Sequence, residues 1–270
     1  SACRWSRAII IARTSTVAAD RLMEKQPYTL TGSIGSAATL GLIVLQVDET
    51  IEQDFRRLFS SPEVALYVSR IPSGTNLTPD TIAQMAVDLP HAASLFPPAA
   101  QFDAIGYACT SGTTLIGAEK VEQLVSNSAR TRSVTNPLTA SIAAFAALDV
   151  RSVAIVSPYI ATVATPIRNA FLTAGMTVPA TVSFGEEVEA NVARIDPQSI
   201  FDAALKVGQT SGVEAVFLSC TNLRTLDIID DLEARLGMPV VSSNQALGWH
   251  MAQVSSAPMS TNGPGTLLRS

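Results

Sequence analysis

Two cysteines, Cys109 and Cys220, stand 111 residues apart, and each ends a short apolar segment. The segments read AIGYAC and AVFLSC, and a threonine follows each cysteine. A thiol between a strand and a helix would face unpaired backbone N–H groups and the positive end of the helix dipole, which lowers its pKa and produces thiolate near pH 7. A free cysteine can also be no more than a small buried apolar side chain. The matching positions favour a reactive pair.

The polar residues that follow these cysteines are of the types that hold a carboxylate. Thr110, Ser111 and Thr113, with the backbone N–H groups beside them, could bind one anionic group. Thr221 and Asn222 could bind another. The alternative is that these side chains are helix caps, and a cap that stays partly open can serve both purposes.

Three further candidates stand at predicted strand ends. The Tyr159 hydroxyl could donate to a substrate oxygen, although a packed tyrosine at the rim of a site is nearly as good an interpretation. Asp48 and Glu49 could cap the next helix or bind a cationic group. The other polar candidates are interpreted mainly as structural: Asn136 and Asn244 as helix caps, His250 as a packed side chain, and His91 as having no role.

An internal repeat connects these residues. Asp48 and Tyr159 share the 111-residue offset of the two cysteines, and the segments 134–136 and 242–244 correspond at a similar distance. Three pairs in the same order indicate a duplicated half. Two halves related by pseudo-twofold symmetry would bring both cysteines to one cleft at the carboxyl ends of their strands, where open α/β sheets bind ligands.

Strands that alternate with helices predict parallel sheets covered on both faces. The predicted fold is therefore α/β, with two pseudo-symmetric Rossmann-like (flavodoxin-like) half-domains and the active site in the cleft between them. Strands are predicted at residues 39–46, 64–71, 104–109, 151–158, 176–184 (broken by Pro179), 213–220 and 238–243. Helices are predicted at about 50–59, from a Thr78 cap, from about 115, from 137, and at 165–174, 197–207, 225–236 and 245–254.

The predicted domain division follows the repeat. Residues 36–136 plus 245–270 form the first half-domain, and residues 137–244 form the second. Residues 1–35 are predicted to be an irregular extension, because the first 22 residues carry four arginines and no acid before Asp20. We expect Met23 to be the biological start of the protein.

Composition excludes several classes of protein. Of 270 residues, 47% are hydrophobic and 15% charged, which is typical of a globular chain with a substantial core. The net charge of −5 argues against nucleic acid or an anionic membrane as the main partner. No run of 18 apolar residues predicts a membrane span. Three cysteines without a C-x-x-C pair predict neither a disulfide framework nor a zinc site, and favour a reducing, cytoplasmic setting.

Four motifs identify a resemblance to a known family. GYACTSGT, FLSCTNLRTLDIID, SPYI and EANVARIDP resemble segments of the aspartate/glutamate racemase superfamily, in its maleate cis–trans isomerase and arylmalonate decarboxylase branch. The resemblance covers about residues 38–254. Within the branch, GLIVLQVDETIE, both cysteine segments and SSNQALGWH are most similar to the ectoine-utilisation proteins, which bacteria carry beside genes for degrading that solute.

The resemblance implies roles for individual residues. Cys109 and Cys220 match the two catalytic cysteines, and Tyr159 and Asn191 match contacts to the substrate carboxylate. Decarboxylases of the branch keep only the second cysteine, so Cys109 speaks against plain decarboxylation. Maleate isomerases carry asparagine where this chain has Asp48. An anion there would repel a dicarboxylate and suit a substrate that bears an amine.

The sequence thus predicts a cofactor-independent isomerase or racemase of a small carboxylate or amino-acid-like substrate. In the isomerase version a cysteine adds to a double bond, and in the racemase version the two cysteines are acid and base on opposite faces. An arylmalonate-type decarboxylase, a non-catalytic carboxylate-binding protein and a purely structural role for the cysteines remain as alternatives. The sequence leaves the oligomeric state open, a homo-oligomer included.

Overall fold

The computed structural model describes residues 26–76 and 78–269, and its first half is built on a sheet of four parallel strands. Those strands are β1 (Ala38–Leu45), β2 (Val64–Ile71), β3 (Ala104–Ala108) and β4 (Val134–Thr135). The helices between them are α1 (Ile51–Leu58), α2 (Pro79–Ser94), α3 (Thr110–Ile116) and α4 (Ala118–Ser126). The strands lie across the sheet in the order β2-β1-β3-β4.

The second half repeats this arrangement after helix α5 (Pro137–Ala147). Its parallel strands are β5 (Val153–Ser157), β6 (Thr181–Ser183), β7 (Ala215–Leu218) and β8 (Val240–Ser242). Its helices are α6 (Ala161–Thr173), α7 (Glu189–Val192), α8 (Pro197–Gly208), α9 (Ile229–Leu236) and α10 (Ser243–Ser255), and single 3-10 turns occupy Leu226–Ile228 and Thr266–Leu268.

The two sheets have one topology, because the second has the order β6-β5-β7-β8. Each strand of the first half therefore has a counterpart in the second, and the α/β prediction with two parallel sheets is confirmed. The repeat also aligns the candidate residues. Cys109 directly follows β3 and Cys220 comes two residues after β7, while Asp48 and Tyr159 follow β1 and β5. All four stand at carboxyl ends of central strands, where open sheets bind ligands.

Burial on both faces explains the apolar strands. All eight residues of β1 are buried, as expected when helices cover both faces of a parallel sheet. In the second half, the rings of Phe145, Phe171 and Phe217 pack together with centroids 5.2–6.2 Å apart. These contacts hold α5 and α6 against the centre of the second sheet.

Some predicted boundaries were wrong. The helix expected from about residue 115 begins at Thr110, because Cys109 itself is the N-cap. Helix α6 begins at Ala161, four residues earlier than predicted. The strand expected at residues 176–184 shrinks to β6, because Pro179 has no N–H to donate to the sheet. By contrast, Thr78 caps α2 as predicted, with Pro79 at the first helical position.

The chain divides into two units, Ser1–Gly32 and Ser33–Ser270, and all described helices and strands lie in the second. Of the predicted extension, residues 1–25, including Met23, lie outside the described residues. Residues 26–35 contain neither helix nor strand. Within the second unit, α10 leaves the second sheet and packs on β3, α1 and α5. The division into residues 36–136 plus 245–270 and 137–244 stays a prediction.

The helices in residues 26–76 and 78–269 include none with the length and apolar composition needed to cross a membrane.

Candidate active site

Cys109 is placed by the junction between β3 and α3. As the N-cap of α3, its Sγ accepts a hydrogen bond from the Gly112 backbone N–H at 3.1 Å. The Ser111 hydroxyl lies 3.6 Å from the same sulfur, and the Tyr107 hydroxyl lies within reach of it. The residue is only 2% exposed. Cys109 is therefore a buried thiol with one backbone donor, Gly112, and two hydroxyl groups beside it, of which that of Tyr107 donates to Met85 Sδ at 3.6 Å.

Cys220 has a different backbone setting. The residues after it, 221–224, form a turn and not a helix, so the helix N-terminus expected behind both cysteines exists only behind Cys109. Its Sγ accepts from the Asn222 backbone N–H at 3.4 Å, and the Tyr159 hydroxyl lies within hydrogen-bonding reach. Cys220 is 4% exposed.

The two cysteines share one buried site. Tyr159 interacts electrostatically with Cys109 and with Cys220, and also with Glu189. The Glu189 carboxylate in turn interacts with both thiols. Hydrogen bonds join the same segments: Thr221, next to Cys220, donates to the Ala108 carbonyl oxygen, next to Cys109, at 3.3 Å, and the Asn222 Nδ2 donates to Glu189 Oε2 at 3.1 Å. The repeat thus places Cys109 and Cys220 in neighbouring segments, and their catalytic role stays a prediction.

Neither cysteine has the lowered pKa that the sequence predicted. Burial raises the pKa of Cys109 to about 11, although the Ser111 and Gly112 hydrogen bonds lower it in part. Burial also raises the pKa of Cys220 well above its ordinary value, with Glu189 adding a like-charge contribution. Loss of hydration outweighs the donors, because a buried thiolate has few water molecules to stabilise it. Both residues are thiols at pH 7 in this conformation.

Glu189 is a site residue that the sequence analysis missed. It opens the one-turn helix α7 and is 3% exposed. The Asn222 Nδ2 donates to its Oε2 and to its backbone oxygen, both at 3.1 Å. Burial raises the pKa of Glu189 to about 7, and the Asn222 hydrogen bond opposes this shift. The carboxyl group therefore titrates near neutral pH, and its charge acts on both cysteines.

The sequence analysis named Asn191, and not Glu189, as a site residue, but the Asn191 side chain faces outward. Its side chain is exposed, and Nδ2 donates to Glu186 at 3.2 Å. Residues two apart on a helix point about 200° away from each other, so only one of Glu189 and Asn191 can face the site. Val192, three residues after Glu189, is buried with it. The apolar residue at that spacing was the available signal that position 189 faces inward.

Asp48 both caps a helix and reaches the site. Its Oδ1 accepts from the backbone N–H groups of Thr50 and Ile51, at 2.8 and 2.9 Å, at the start of α1. Its Oδ2 is buried and has no hydrogen-bond partner. Burial raises the pKa of Asp48, and its charge acts on Glu189 and Cys220. The structure shows the capping contacts of Asp48, and its role in binding a cationic group stays a prediction.

The other predicted binding residues divide into two groups. Asn222 lies in the site and holds Glu189, and Ser111 lies beside Cys109. The hydroxyls of Thr110 and Thr221 are used elsewhere: Thr110 pairs with Ser243 at 2.9 Å, and Thr221 donates to the Ala108 carbonyl oxygen at 3.3 Å. Thr113 likewise donates to the Cys109 carbonyl oxygen at 2.8 Å.

The remaining polar candidates have structural partners. Asn136 caps α5 as predicted, accepting from the Thr139 N–H at 2.8 Å. Asn244 is not a cap, because Ser242 and Gln245 form the capping box of α10. The His250 Nδ1 lies 2.7 Å from the Thr135 hydroxyl. Glu49 forms an exposed ion pair with Arg194.

The buried carboxyl group of Asp54 makes protein stability depend on pH. Asn244 Nδ2 donates to Asp54 Oδ2 at 2.7 Å, and burial raises the Asp54 pKa from 3.8 to about 7. Between these values the folded protein keeps a proton that the unfolded chain releases, so stability falls as pH rises. From pH 5 to pH 7, the free energy of unfolding of Asp54→Asn should fall by about 2–3 kcal/mol less than that of the parent, as measured by urea unfolding. Asp231→Asn removes an exposed acid and is the control: its free energy of unfolding should change with pH as that of the parent does.

Gly112 allows the Cys109 thiol its position. A Cβ at residue 112 would lie 2.6 Å from the Tyr107 hydroxyl oxygen and 2.8 Å from Cys109 Sγ. We expect Gly112→Ala to destabilise the protein by about 1–3 kcal/mol and to displace the thiol. Urea unfolding and the rate of Cys109 alkylation measure the two effects. Gly32→Ala, with no atom within 4 Å of the added Cβ, should change neither. An unchanged alkylation rate in Gly112→Ala would contradict the packing argument.

Known proteins match the region of the chain that carries both site cysteines. A family model described as arylmalonate decarboxylase matches residues 101–268, which include both site cysteines. The chain is 30% identical over 230 residues to the arylmalonate decarboxylase of Bordetella bronchiseptica, covering 82% of this chain and 91% of that protein.

Two solved structures are similar in fold. The maleate isomerase Iso from Pseudomonas putida S16 has a TM-score of 0.76 and 25% identity, covering 86% of this chain and 98% of that one. A mutant of the maleate cis–trans isomerase of Nocardia farcinica, with a covalently bound succinylcysteine intermediate, has a TM-score of 0.74 and 24% identity, with the same coverage.

Proposed function

Because this chain belongs to the arylmalonate decarboxylase family, we propose that it is a cofactor-independent isomerase or racemase of a small carboxylic acid. The observation that carries the proposal is the pair of buried cysteines at equivalent strand ends, whose segments are joined by the hydrogen bond from the Thr221 hydroxyl to the Ala108 carbonyl oxygen. A single cysteine would suffice for a one-sided proton transfer. Two thiols around one centre suit a reaction that needs a group on each face of a carbon atom.

The proposed chemistry uses one thiolate and one thiol. In the racemase version the thiolate removes the proton next to the carboxylate, the charge moves into the carboxylate as an enediolate, and the opposite thiol returns a proton to the other face. Cys109 suits the thiolate, because the Gly112 N–H donates to its sulfur and the Ser111 hydroxyl lies 3.6 Å from it. Cys220 suits the thiol, because burial and the charges of Glu189 and Asp48 raise its pKa.

In the isomerase version a thiolate adds to a double bond, rotation about the resulting single bond follows, and the thiolate leaves. The Nocardia relative with a succinylcysteine intermediate supports this version. Mass spectrometry of the protein with an unsaturated diacid distinguishes the two. Added mass on Cys109 or Cys220 is expected in the isomerase version only.

The general test is exchange of a carbon-bound proton with solvent. A racemase incubated with its substrate in D2O incorporates deuterium next to the carboxylate, and NMR detects this for a panel of amino acids and other small carboxylates. The racemase version predicts incorporation for at least one panel member. The absence of incorporation, of adducts and of turnover on the whole panel would leave the carboxylate-binding protein as the better interpretation.

Decarboxylation is the second candidate, because the most identical relative reported above carries that name. It predicts release of CO2 from arylmalonates. The presence of Cys109 counts against it, since the decarboxylases that this chain resembles keep only the second cysteine. A decarboxylase would also retain activity when Cys109 is replaced.

We further propose a role in ectoine utilisation and a reducing, cytoplasmic setting. The first is supported by the resemblance of GLIVLQVDETIE and SSNQALGWH to proteins of that branch. The second is supported by the free thiols of Cys109 and Cys220. Turnover of diaminobutyrate derivatives, with none of maleate, is the result that the first proposal predicts.

A further inference from the structure

We propose that Ser243 and Asn244, the first two residues of helix α10, are positioning residues for the cysteine pair. Ser243 holds the Cys109 segment, residues 108–111, and Asn244 holds the Cys220 segment, residues 219–222. The inference rests on the proposed function only where it predicts an effect on turnover. It adds to that function the means by which one helix sets the spacing of the two thiols.

Neither side chain is needed to begin the helix. The cap of α10 is the box formed by Ser242 and Gln245, in which each side chain bonds to the backbone N–H of the other residue. Ser243 and Asn244 are nonetheless 0% exposed. Burying a hydroxyl or an amide costs free energy unless the group forms hydrogen bonds, so both side chains require partners outside their own helix.

Ser243 meets the Cys109 segment. Its Oγ lies 2.9 Å from Oγ1 of Thr110, the residue that follows Cys109. Thr110 is the first residue of α3, and its backbone oxygen accepts from the Thr114 hydroxyl at 2.9 Å. Because Cys109 is the N-cap of the same helix, a contact that fixes the first turn of α3 also fixes the direction of the thiol.

Asn244 meets the Cys220 segment. Its Nδ2 donates to the backbone oxygen of Thr221, the residue that follows Cys220, at 2.8 Å. The same Nδ2 donates to Asp54 Oδ2 at 2.7 Å. Both partners are acceptors, so only the NH2 end of the amide can face them. Asp54 therefore fixes the amide in the orientation that holds the Cys220 segment.

A third contact joins the two segments to each other. The Thr221 hydroxyl donates to the Ala108 carbonyl oxygen at 3.3 Å. Since Ser243 and Asn244 are adjacent in the chain, one helical turn contacts both segments. Groups that act on opposite faces of one carbon atom must keep a fixed separation, because a misplacement of about 1 Å can cost about 10²-fold in rate. The start of α10 is the element that sets this separation.

The first half contains a counterpart with other contacts. Thr135 and Asn136 occupy the repeat positions of Ser243 and Asn244. Thr135 pairs with His250, and Asn136 caps α5. Among the residues that the structure describes, neither of these two side chains hydrogen-bonds to the Cys109 segment or the Cys220 segment. The bridging contacts therefore belong to the second copy of the repeat, and Asn136 provides a matched control for Asn244.

Alkylation of each cysteine in the folded protein tests the inference without requiring turnover. Iodoacetamide is the probe, and peptide mass spectrometry follows Cys109 and Cys220 separately. Ser243→Ala is expected to raise the rate at Cys109 relative to Cys220 by about tenfold. Asn244→Ala should raise the rate at Cys220 relative to Cys109 by a similar factor, because loss of one buried hydrogen bond shifts local opening by about that much.

The ratio of the two rates separates positioning from stability, because a general loss of stability raises both rates by the same factor. Ser141→Ala removes another buried serine hydroxyl, which donates to the Pro137 carbonyl oxygen at 2.6 Å. Asn136→Ala removes the counterpart asparagine and its cap. Both controls should keep the parental ratio, and a ratio that moves in them as far as in the α10 variants would contradict the inference.

A double variant keeps the test informative where Asn244→Ala unfolds. Asp54→Asn combined with Asn244→Asp exchanges the amide and the carboxylate, so the hydrogen bond between positions 54 and 244 is kept. An ionised carboxylate at position 244 has no N–H for the Thr221 oxygen. The double variant should therefore raise the rate at Cys220 relative to Cys109, as Asn244→Ala does.

Turnover separates this inference from the proposed function. For the active panel member, Ser243→Ala should lower kcat by about tenfold or more with little change in KM. Parental ratios in Ser243→Ala and in the double variant would overturn the inference and leave the proposed reaction standing. The expected changes in the ratio, in a protein that turns over no panel member, would leave the positioning contacts standing and refute the proposed reaction.

Discussion

Serine in place of either Cys109 or Cys220 is expected to lower turnover by about 10²–10⁴-fold, the usual contribution of a positioned acid or base. A serine hydroxyl is a far weaker acid than a thiol, so it neither supplies the thiolate nor donates a proton readily. Because both cysteines serve one step, the double variant should cost little more than each single variant. Deuterium incorporation and turnover of the active panel member measure the effect.

Ligand affinity separates this outcome from simple loss of folding. The free energy of unfolding of both serine variants in urea is expected to stay within about 1 kcal/mol of the parent, and both should bind the active panel member with parental affinity. Full activity in Cys109→Ser would instead favour the decarboxylase. Full activity in both single variants would contradict the paired-thiol chemistry altogether.

Asn222→Ala is expected to destabilise the protein by about 3–5 kcal/mol. The Asn222 side chain accepts from the Glu49 N–H and donates to the backbone oxygen and carboxylate of Glu189. Its removal leaves several buried polar groups without partners, and each costs about 1–3 kcal/mol. Urea unfolding at pH 7 measures the loss. Asn169→Ala, at an exposed position of α6, should stay within about 0.5 kcal/mol of the parent.

The same variant has a second consequence that a purely structural role would not produce. The Asn222 hydrogen bond lowers the pKa of Glu189, so its loss should raise that pKa further above 7. Any step that needs the ionised Glu189 carboxylate would then require a higher pH. The pH profile of turnover of the active panel member from pH 6 to 9 measures the shift. A pH profile equal to that of the parent would contradict the role of Asn222.

The architecture could be predicted from short-range patterns. The apolar runs at residues 39–46 and 64–71 are strands within one residue of their predicted ends, because a strand buried on both faces needs only local hydrophobicity. The repeat predicted two sheets of one topology, with Cys109 and Cys220 at the carboxyl ends of equivalent strands. Errors in the elements arose at Cys109, which caps a helix through a rarely used sulfur, and at Pro179.

The sequence by itself determined which residue types stand at the strand ends, and tertiary structure decided what each side chain does there. Glu189 faces the site and Asn191 faces outward because a one-turn helix presents only one of them to the neighbouring loop. Asn222 meets Glu189, and Asn244 meets Asp54, across 33 and 190 residues. Tertiary structure also decided the pKa values, because a pKa depends on how much water the packed neighbours exclude. Burial therefore outweighed the helix dipole at Cys109.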